Sequence, residues 1–254
     1  MIDLHCHLLP GVDDGSRTVE QSVAVLREWS AAGVREIALT PHLDASRVTE
    51  GPPPAHDEAF AALSHAAPPE IRLHRGAEVM LDRPLTPRAL ATRRITLGGS
   101  RYLLVEFTRM VSIQTAATAL GQLLDAGLVP LVAHPERYSI CSVGLVARWR
   151  EMGARMQVDA TTCFMPTGRG AKARELLASG LADILAADNH GDRRSLADPY
   201  RQLGQTGGEA QATLLMVSNP AAILADDELI EVAPFKVKIP LMSRLKGWLG
   251  TLQQ

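Results

Sequence analysis

Two histidines that lie one residue apart, His5 and His7, stand close to the start of the chain. If this stretch is an extended strand, both side chains point to the same face, because side chains alternate along a strand. Two imidazoles on one face can bind the same ion, and neutral imidazole together with carboxylate suits zinc, manganese or iron. The pair therefore indicates a metal site, although an isolated His-x-His is a weak motif.

Other histidines and carboxylates recur along the chain, each after a short apolar run that we predict to be a strand. The predicted strands are 2–5, 35–40, 71–77, 102–107, 129–133, 155–160 and 183–187. Six of these seven end in His, Asp or Glu, namely His5 and His7, His42, Glu78, Glu106, His134, and Asp188 with His190. Because chemistry collects at the carboxyl ends of parallel strands, these side chains should meet at one rim. Several carboxylates without cysteine favour manganese or iron.

The predicted strands alternate with amphipathic stretches that indicate helices. We place these at about 18–32, 56–66, 113–126, 143–152, 171–179 and 208–217. Strand–helix alternation predicts an α/β fold with parallel strands and right-handed crossovers. This number of strands suits a barrel or a strongly curved sheet. Several strands are nearly continuous apolar runs, which is typical of strands buried on both faces.

Length and composition limit the classes of protein to consider. The chain has 254 residues, which suits one α/β domain, so we predict a single domain over 1–254. The net charge of −2 argues against a general nucleic-acid binder. No apolar run reaches the roughly 18 residues that a transmembrane helix needs, and the N-terminus lacks the pattern of a signal peptide. Three cysteines without CxxC spacing indicate a reducing compartment, so we expect a cytoplasmic location.

Two segments stand apart from this pattern. Residues 50–56 (EGPPPAH) are rich in proline, which cannot extend a helix or a strand, so we predict a surface loop. The tail 235–254 mixes apolar residues with four basic ones, Lys236, Lys238, Arg244 and Lys246. We predict that this tail is an amphipathic docking helix, with contact to a membrane surface as the alternative.

Several acidic residues near the predicted rim have two interpretations. Asp13-Asp14-Gly15 has the sequence of an ordinary turn, but one of the two aspartates could reach an ion, and we favour Asp14. Asp3 and Glu136 either orient a histidine ligand or an arginine, or are plain surface charges.

The motifs MIDLHCHLLPGVDDG, TPH, GAEV, VEF, AHPER and D-x-H occur in this order along the chain. They resemble those of the polymerase and histidinol phosphatase (PHP) family of metal-dependent phosphoesterases, over residues 1–225. The strongest resemblance is to its bacterial protein-tyrosine-phosphatase branch, which is linked to capsule and exopolysaccharide synthesis. The resemblance implies a distorted TIM-like barrel of about seven βα units, with the metal site at the C-terminal ends of the strands.

The resemblance also implies up to three divalent metal ions and a ligand set for each. The implied sets are His5, His7, Glu78 and Asp188 for the first ion, Glu78, Glu106 and His134 for the second, and Asp14, His42 and His190 for the third. Glu78 would bridge two ions. We expect manganese, with iron or zinc as alternatives.

The residues that would handle the phosphate also follow from the resemblance. Arg137 is similar to the family's phosphate-binding arginine, and Arg194 best matches a second one, with Arg193 as the alternative because the spacing is one residue short. A planar guanidinium matches two phosphate oxygens at once. Water between two cations would become hydroxide and attack phosphorus, and His42, His134 or a carboxylate could protonate the leaving group.

The function implied is that of a metal-dependent protein-tyrosine phosphatase. Its partner would be a phosphotyrosine protein, expected to be a bacterial tyrosine kinase of polysaccharide export, and self-association is left open. The chain departs from the family pattern at Cys6, at Leu43 and over 157–170. None of these departures removes an implied ligand, so they bear on substrate preference.

Four other functions compete with this one. A small-molecule phosphatase of the histidinol-phosphatase type keeps the metals and changes the substrate. An exonuclease would need a basic strand-binding surface, which the net charge does not support. A non-catalytic metal-binding module would close its coordination, whereas the surplus of ligands favours catalysis. Finally, Cys163 and Arg169 have the C-x5-R spacing of cysteine-dependent phosphatases, a spacing that also arises by chance.

Overall fold

Strands and helices alternate along the chain in a computed structural model that describes residues 1–48 and 50–238. The strands are β1 Ile2–Cys6, β2 Glu36–Leu39, β3 His42–Asp44, β4 Arg72–Arg75, β5 Glu78–Met80, β6 Tyr102–Glu106, β7 Val129–Ala133, β8 Arg155–Asp159 and β9 Ile184–Ala186. The α-helices are α1 Val19–Ala31, α2 Pro54–Ala66, α3 Pro87–Ala91, α4 Ile113–Asp125, α5 Val143–Met152, α6 Gly168–Ala178, α7 Ala197–Gln205, α8 Glu209–Thr213 and α9 Asn219–Ala225.

The strands form two parallel sheets. One contains three strands in the order β1-β2-β4, and the other contains six in the order β3-β5-β6-β7-β8-β9. The segment after β9 runs beside β1, where Asp188 N–H donates to the carbonyl of His5 at 2.9 Å and His7 N–H donates to that of Asn189 at 2.7 Å. Within the described residues the strands do not form one closed sheet. The predicted α/β class with parallel strands is confirmed, and the barrel is not.

Two of the predicted strands are each followed by a short second strand that the sequence did not predict. The strand predicted at 35–40 ends at Leu39, and β3 begins at His42 after Pro41, which has no N–H to give to a ladder. The strand predicted at 71–77 likewise ends at Arg75, and β5 begins at Glu78. His42 pairs in register with Glu78, so the two breaks place predicted site residues side by side.

The core fills both faces of the sheets, as the apolar runs predicted. All five residues of β1 and all five of β6 are buried. Side chains at the N-termini of the helices satisfy free backbone N–H groups there: Thr18 accepts from Gln21, and Ser142 accepts from Leu145. Capped helices packed on buried strands give the strand ends a rigid support.

Some boundaries differ from prediction. The loop predicted over 50–56 is wrong from Pro54 onward, because α2 starts there; proline suits the first helical position, where its missing N–H costs nothing. The helix predicted at 208–217 is α8 followed by a π-helical turn over Leu214–Ser218. The short helices α3, α7 and α9 were not predicted.

The predicted tail helix over 235–254 lies mainly outside the described residues, and the described part, 235–238, is not helical. Of the helices that are described, none is both long enough and apolar enough to cross a membrane.

Candidate metal centre

All nine side chains predicted as metal ligands lie together at the carboxyl ends of β1, β2, β4, β6, β7 and β9. They form four overlapping groups in which the ligand atoms lie within 4.8 Å of one another. The groups are His5, His7 and Asp188; His5, Glu78 and His134; His42, Glu78 and Glu106; and His7, Asp14, His42 and His190. The structure thus brings the full predicted set into one cluster. That these residues bind metal stays a prediction.

Gln157 on β8 holds the ring of His5. The backbone N–H of His134 donates to Oε1 of Gln157 at 3.2 Å, which identifies that atom as the amide oxygen. His5 Nδ1 therefore donates to the same oxygen, at 2.9 Å, and its Nε2 lone pair faces the cluster. His5 and Gln157 are both fully buried, so this hydrogen bond fixes the ring.

Asp13 holds the ring of His7 in the same way. His7 Nδ1 donates to Asp13 Oδ2 at 2.8 Å, which leaves Nε2 to face the cluster. The same oxygen accepts the backbone N–H of His42 at 3.0 Å, and Asp13 Oδ1 accepts that of Gly15 at 3.0 Å. Asp13 therefore supports a predicted ligand, while Asp14 lies among the clustered side chains. That Asp14 is the ligand of the two stays a prediction.

The turn that carries these aspartates is pressed against β1. Ser16 N–H donates to the carbonyl of His7 at 2.8 Å. A Cβ at Gly15 would lie only 1.9 Å from that carbonyl oxygen, so this position excludes any side chain. The glycine of Asp13-Asp14-Gly15 is thus required by the close approach of the turn to the site.

The four ligands implied for the first ion have the spacing of a single coordination shell. Nε2 of His5 and Nε2 of His7 are 3.2 Å apart. Glu78 Oε2 lies 3.2 and 3.3 Å from these nitrogens, and Asp188 Oδ1 lies 3.4 Å from each. Ligands about 2.0–2.2 Å from one ion, at the corners of a tetrahedron, lie about 3.3–3.6 Å apart. The spacing therefore fits one divalent ion.

The chemistry of these four atoms also fits a cation. The two histidines donate through Nδ1, so their Nε2 atoms present lone pairs to the two carboxylate oxygens. Glu78 Oε2 and Asp188 Oδ1 are buried, and no described residue gives either a hydrogen bond. Buried acceptors that face one another are destabilising unless a positive charge lies between them. A divalent ion would supply that charge.

Glu78 joins this set to the remaining ligands. Its Oε1 lies 2.8 Å from His134 Nε2, and its Oε2 lies 3.1 Å from His42 Nδ1. His42 Nδ1 is also 3.1 Å from Glu106 Oε1. The structure therefore groups Glu106 with His42, and His134 with His5, whereas the resemblance implied that Glu106 and His134 share an ion. The bridging position expected of Glu78 agrees with this geometry.

Asp14, His42 and His190 form the exposed edge of the cluster. Asp14 Oδ1 lies 3.5 Å from His42 Nε2 and 3.6 Å from His190 Nε2. The His190 ring stacks on that of His7, with centroids 4.0 Å apart. These three side chains face water more than the others, which leaves this edge open to a substrate.

Two ligand positions have an uncommon backbone conformation. His134 has φ 34° and Asp188 has φ 50°, and the only other described non-glycine residue with positive φ is Asp226. Such angles are disfavoured for residues with a Cβ. Strain of this kind concentrates at functional sites, where the surrounding structure holds it in place.

The close packing of carboxylates and imidazoles shifts the pKa values of several of these groups. Burial opposes ionisation of Glu78 and Asp188, but His5 and the other nearby histidines, joined by Arg137 for Asp188, outweigh it and hold the pKa of both carboxyls below their ordinary range. Burial also opposes protonation of His42, yet the carboxylates of Glu106 and Glu78, each 3.1 Å from its Nδ1, raise its pKa to about 10. The site therefore favours positive charge at its centre.

The two predicted arginines both reach Asp188. Arg137 Nη2 donates to Asp188 Oδ2, and Arg194 Nη1 donates to the same oxygen at 3.3 Å. Arg194 Nη2 also lies 3.0 Å from His190 Nδ1. Arg193 is exposed, and its side chain forms no hydrogen bond or ion pair with a described residue. The geometry selects Arg194 over Arg193 as the second arginine beside the cluster.

Asp3 and Glu136 are not surface charges, so that alternative is wrong. Both are buried. Asp3 accepts the backbone N–H groups of His5 at 3.0 Å and of Ala187 at 3.1 Å, which ties β1 to β9. Glu136 Oε1 accepts the N–H of Asp159 at 3.1 Å. Burial raises the pKa of Asp3 to about 7; for Glu136, burial and then the charge of Asp159 raise it to about 7.

The cysteine-phosphatase alternative does not fit the structure. Cys163 is fully buried and its Sγ donates to the carbonyl of Asp159 at 3.3 Å. Burial raises the pKa of this thiol well above its ordinary value, so a nucleophilic thiolate is disfavoured. Arg169 pairs instead with Asp159, at 3.0 Å.

Gln157 is the residue of the site that sequence reasoning missed. The predicted strand at 155–160 is the one predicted strand to which the sequence analysis assigns no site residue. Gln157 and Asp159 nevertheless lie two residues apart in a buried strand and share a face. Buried polar residues with that spacing were the available signal.

Comparison with known proteins identifies the protein family that this chain matches. The chain matches a family model described as "Capsular polysaccharide synthesis, CpsB/CapC" over residues 1–225. The tyrosine-protein phosphatase CpsB of Streptococcus pneumoniae is 30% identical over 241 residues, which cover 89% of this chain and 99% of that protein. The tyrosine-protein phosphatase YwqE of Bacillus subtilis is 27% identical over 196 residues, 75% of this chain and 77% of that protein.

Solved structures share the fold. One match is described as crystal structures of YwqE from Bacillus subtilis and CpsB from Streptococcus pneumoniae, unique metal-dependent tyrosine phosphatases. It has a TM-score of 0.78 at 24% identity and covers 94% of this chain and 100% of that chain. Dihydropyrimidinase from Brevibacillus agri has a TM-score of 0.52 at 12% identity, covering 93% of this chain and 73% of that chain. At these identities the structural matches bear on fold alone.

Proposed function

Because the chain belongs to the CpsB/CapC family of capsular polysaccharide synthesis, we propose that it is a metal-dependent protein-tyrosine phosphatase. The observation that carries this proposal is the position of Asp188. Its Oδ1 faces the ligand cluster, while its Oδ2 accepts hydrogen bonds from Arg137 and Arg194. One carboxylate thus joins a candidate cation site to two guanidinium groups, which is the arrangement that hydrolysis of a phosphate ester requires.

The chain's own residues have distinct tasks in this proposal. Arg137 and Arg194 would bind phosphoryl oxygens, since planar guanidinium groups match two oxygens at once. The divalent ions, when bound, would lower the pKa of water and neutralise phosphoryl charge. Phenol has a pKa of roughly 10, so phenolate is a good leaving group. Its departure therefore needs little help from a general acid. His42, at the exposed edge, is the better placed of the two candidate proton donors, because His134 is buried.

The proposal also covers the metal ions, the substrate and the partner. We infer up to three ions, manganese by preference, held by the ligand groups described above. The substrate class, phosphotyrosine in a protein, rests on the names of the relatives, and a tyrosine kinase of polysaccharide export is the partner we propose. We also propose that the two sheets are parts of one distorted barrel, that the chain forms a single domain and that it is cytoplasmic. Self-association stays open.

The test compares substrates and metals on the full chain. Metal-free protein should be inactive on a phosphotyrosine peptide, and manganese should restore turnover. A phosphoserine peptide and histidinol phosphate should react far more slowly, because neither offers an aryl leaving group. Iodoacetamide should leave turnover intact, since Cys163 is buried.

Arg137→Lys keeps the charge and loses the planar fork, so we expect turnover to fall by about tenfold or more. Arg193→Lys is the matched control and should be neutral. The proposal fails if histidinol phosphate is the preferred substrate, or if chelation leaves phosphotyrosine hydrolysis unchanged.

A further inference from the structure

A cavity of about 800 Å³ opens beside Arg137. Four basic side chains line it, and we call it the basic groove: Arg109, Arg137, Arg169 and Lys172. Glu136 is the one acidic residue among the residues that line it. Pockets of roughly 300–1,000 Å³ accommodate drug-sized ligands, so the groove is much larger than one phosphate group needs.

The basic residues of the groove are incompletely neutralised by the protein. Arg109 is exposed and forms no ion pair with any described residue. Lys172 Nζ donates to the backbone carbonyl of Tyr138 at 3.0 Å and contacts no described carboxylate. Arg169 pairs with Asp159, yet its Nε is buried and has no partner among the described groups. The Nε of Arg137 is also buried and also has no partner among the described groups.

A second cavity, of about 380 Å³, adjoins the exposed ligands Asp14 and His42 and has the opposite character. Asp13 and Asp44 line it as well, and Arg47 pairs with Asp44 at 3.2 Å. The surface around the metal centre is therefore polarised. An anionic group that accompanies the reacting phosphate would be attracted to the basic groove and repelled by the acidic cavity.

We propose that the basic groove is a second anion subsite, which binds the carboxylate or phosphate of a residue that flanks the phosphotyrosine of the substrate. This inference rests on the proposed function, because it places the phosphotyrosine itself at Arg137 and the metal centre. Arg109 and Lys172 are the specificity residues, since their charges are free for a ligand. The substrate class is thus an acidic or multiply phosphorylated peptide segment.

The test uses matched phosphotyrosine peptides on the metal-loaded full chain. The positions that flank the phosphotyrosine carry glutamate, alanine, or a second phosphotyrosine. The variant is Arg109→Gln/Lys172→Gln. The control is Arg27→Gln/Arg72→Gln, which removes the same charge from two exposed arginines outside the groove. p-Nitrophenyl phosphate, which has no flanking residues, reports the basal reaction.

The wild type should have a KM about tenfold lower for an anionic peptide than for the alanine peptide, because exposed ion pairs contribute up to about fivefold each. The groove variant should lose this preference with kcat and p-nitrophenyl phosphate turnover unchanged, while the control keeps it. A preference for glutamate alone identifies a carboxylate subsite, and one for the second phosphotyrosine alone identifies a phosphate subsite. Equal KM values for all peptides, or equal losses in variant and control, would overturn the proposal.

Binding separates this inference from the proposed function. The same peptides with a non-hydrolysable phosphonate in place of the phosphate can be titrated by fluorescence anisotropy. If no aryl phosphate is hydrolysed, the proposed function fails, and the binding preference for anionic flanks still decides the groove. Binding that ignores the flanks, or that the groove variant does not alter, contradicts the subsite even in an active enzyme.

Discussion

The metal centre has a buried part and an exposed edge, and the two differ in how the chain builds them. His5, His7, Glu78, His134 and Asp188 have side chains at most 1% exposed. The side chains of Asp14, His42 and His190 are 71%, 35% and 20% exposed. Water can solvate the edge residues. Among the buried ligands, Glu78 Oε2 and Asp188 Oδ1 face other ligand atoms and receive no hydrogen bond from a described residue, so a cation is far more important for their stability.

This contrast predicts that ions bind with different affinities in the two parts. The buried ligands are fixed by hydrogen bonds from within the fold, as Gln157 fixes His5. Ligands held in place lose little freedom when they bind an ion. The exposed edge has a carboxylate, Asp14, that no hydrogen bond from a described residue holds in place, so ordering it on an ion has a cost. We therefore expect a tightly bound ion in the buried part and a weaker, exchangeable ion at the edge.

Glu78→Gln should have the largest effect, because both oxygens of Glu78 face ligand groups of the buried part. Loss of its charge should reduce bound metal and lower turnover of a phosphotyrosine peptide by about a hundredfold or more. Metal analysis and kcat/KM measure the two effects. Glu70→Gln, an exposed carboxylate in a loop, is the control and should match the wild type. Full metal content and activity in Glu78→Gln would remove the buried part from the mechanism.

Gln157→Leu should have the next largest effect. It removes the acceptor that holds His5 Nδ1 and His134 N–H, without touching any ligand. Supporting hydrogen bonds of this kind contribute about 10–100-fold in metal affinity. A competition titration with a chelator should show that loss, and added metal should restore turnover. Gln157→Glu, which keeps the acceptor, should retain more affinity; equal losses in both variants would contradict the orienting role.

Asp14→Asn tests the exposed edge and should have a smaller effect. We expect turnover to fall by about tenfold at low metal concentration and to recover at high concentration, because the edge ion binds weakly. The buried ion should remain bound in metal analysis. Asp125→Asn, an exposed aspartate in α4, is the control. If Asp14→Asn also empties the buried part, the two parts are not independent.

Glu136→Gln compares buried acids that face the cluster with one that does not. The pKa of Glu136 is raised to about 7, against roughly 4.3 in an unfolded chain. A raised carboxyl pKa stabilises the fold below about pH 4.3, and this contribution is lost as pH rises through about 7. Relative to the wild type, the variant should therefore gain stability between pH 5 and 8, on the order of 2 kcal/mol or about 5 °C in Tm.

Thermal unfolding of metal-free protein at several pH values measures this gain. Glu70→Gln should show no such trend. A constant difference between Glu136→Gln and the wild type across this pH range would mean that Glu136 is already charged in the folded protein.

The sequence predicted the buried part of the centre well, for a physical reason. Parallel strands bring their carboxyl ends to one edge, so a histidine or acid after each apolar run identifies a shared location. The short strands β3 and β5 were not predicted, because three residues are too few to show an apolar pattern of their own. Gln157 was missed since its role depends on a register between β7 and β8 that sequence spacing alone does not give.

The basic groove shows even more clearly which features the sequence alone cannot predict. Arg109 lies in the loop after β6, whereas Arg169 and Lys172 lie in α6, so the groove combines segments that are far apart in the sequence. Their charges are balanced elsewhere in the chain, so the net charge of −2 conceals a local positive surface. Only the fold places these side chains beside Arg137.

The most direct test of the account is anomalous diffraction from a crystal of the full chain grown with manganese. We expect a peak of high occupancy bounded by His5 Nε2, His7 Nε2, Glu78 Oε2 and Asp188 Oδ1, and a weaker peak near Asp14 and His190. No anomalous density among the four buried ligands, with those side chains turned away from one another, would contradict the claim that they bind a cation.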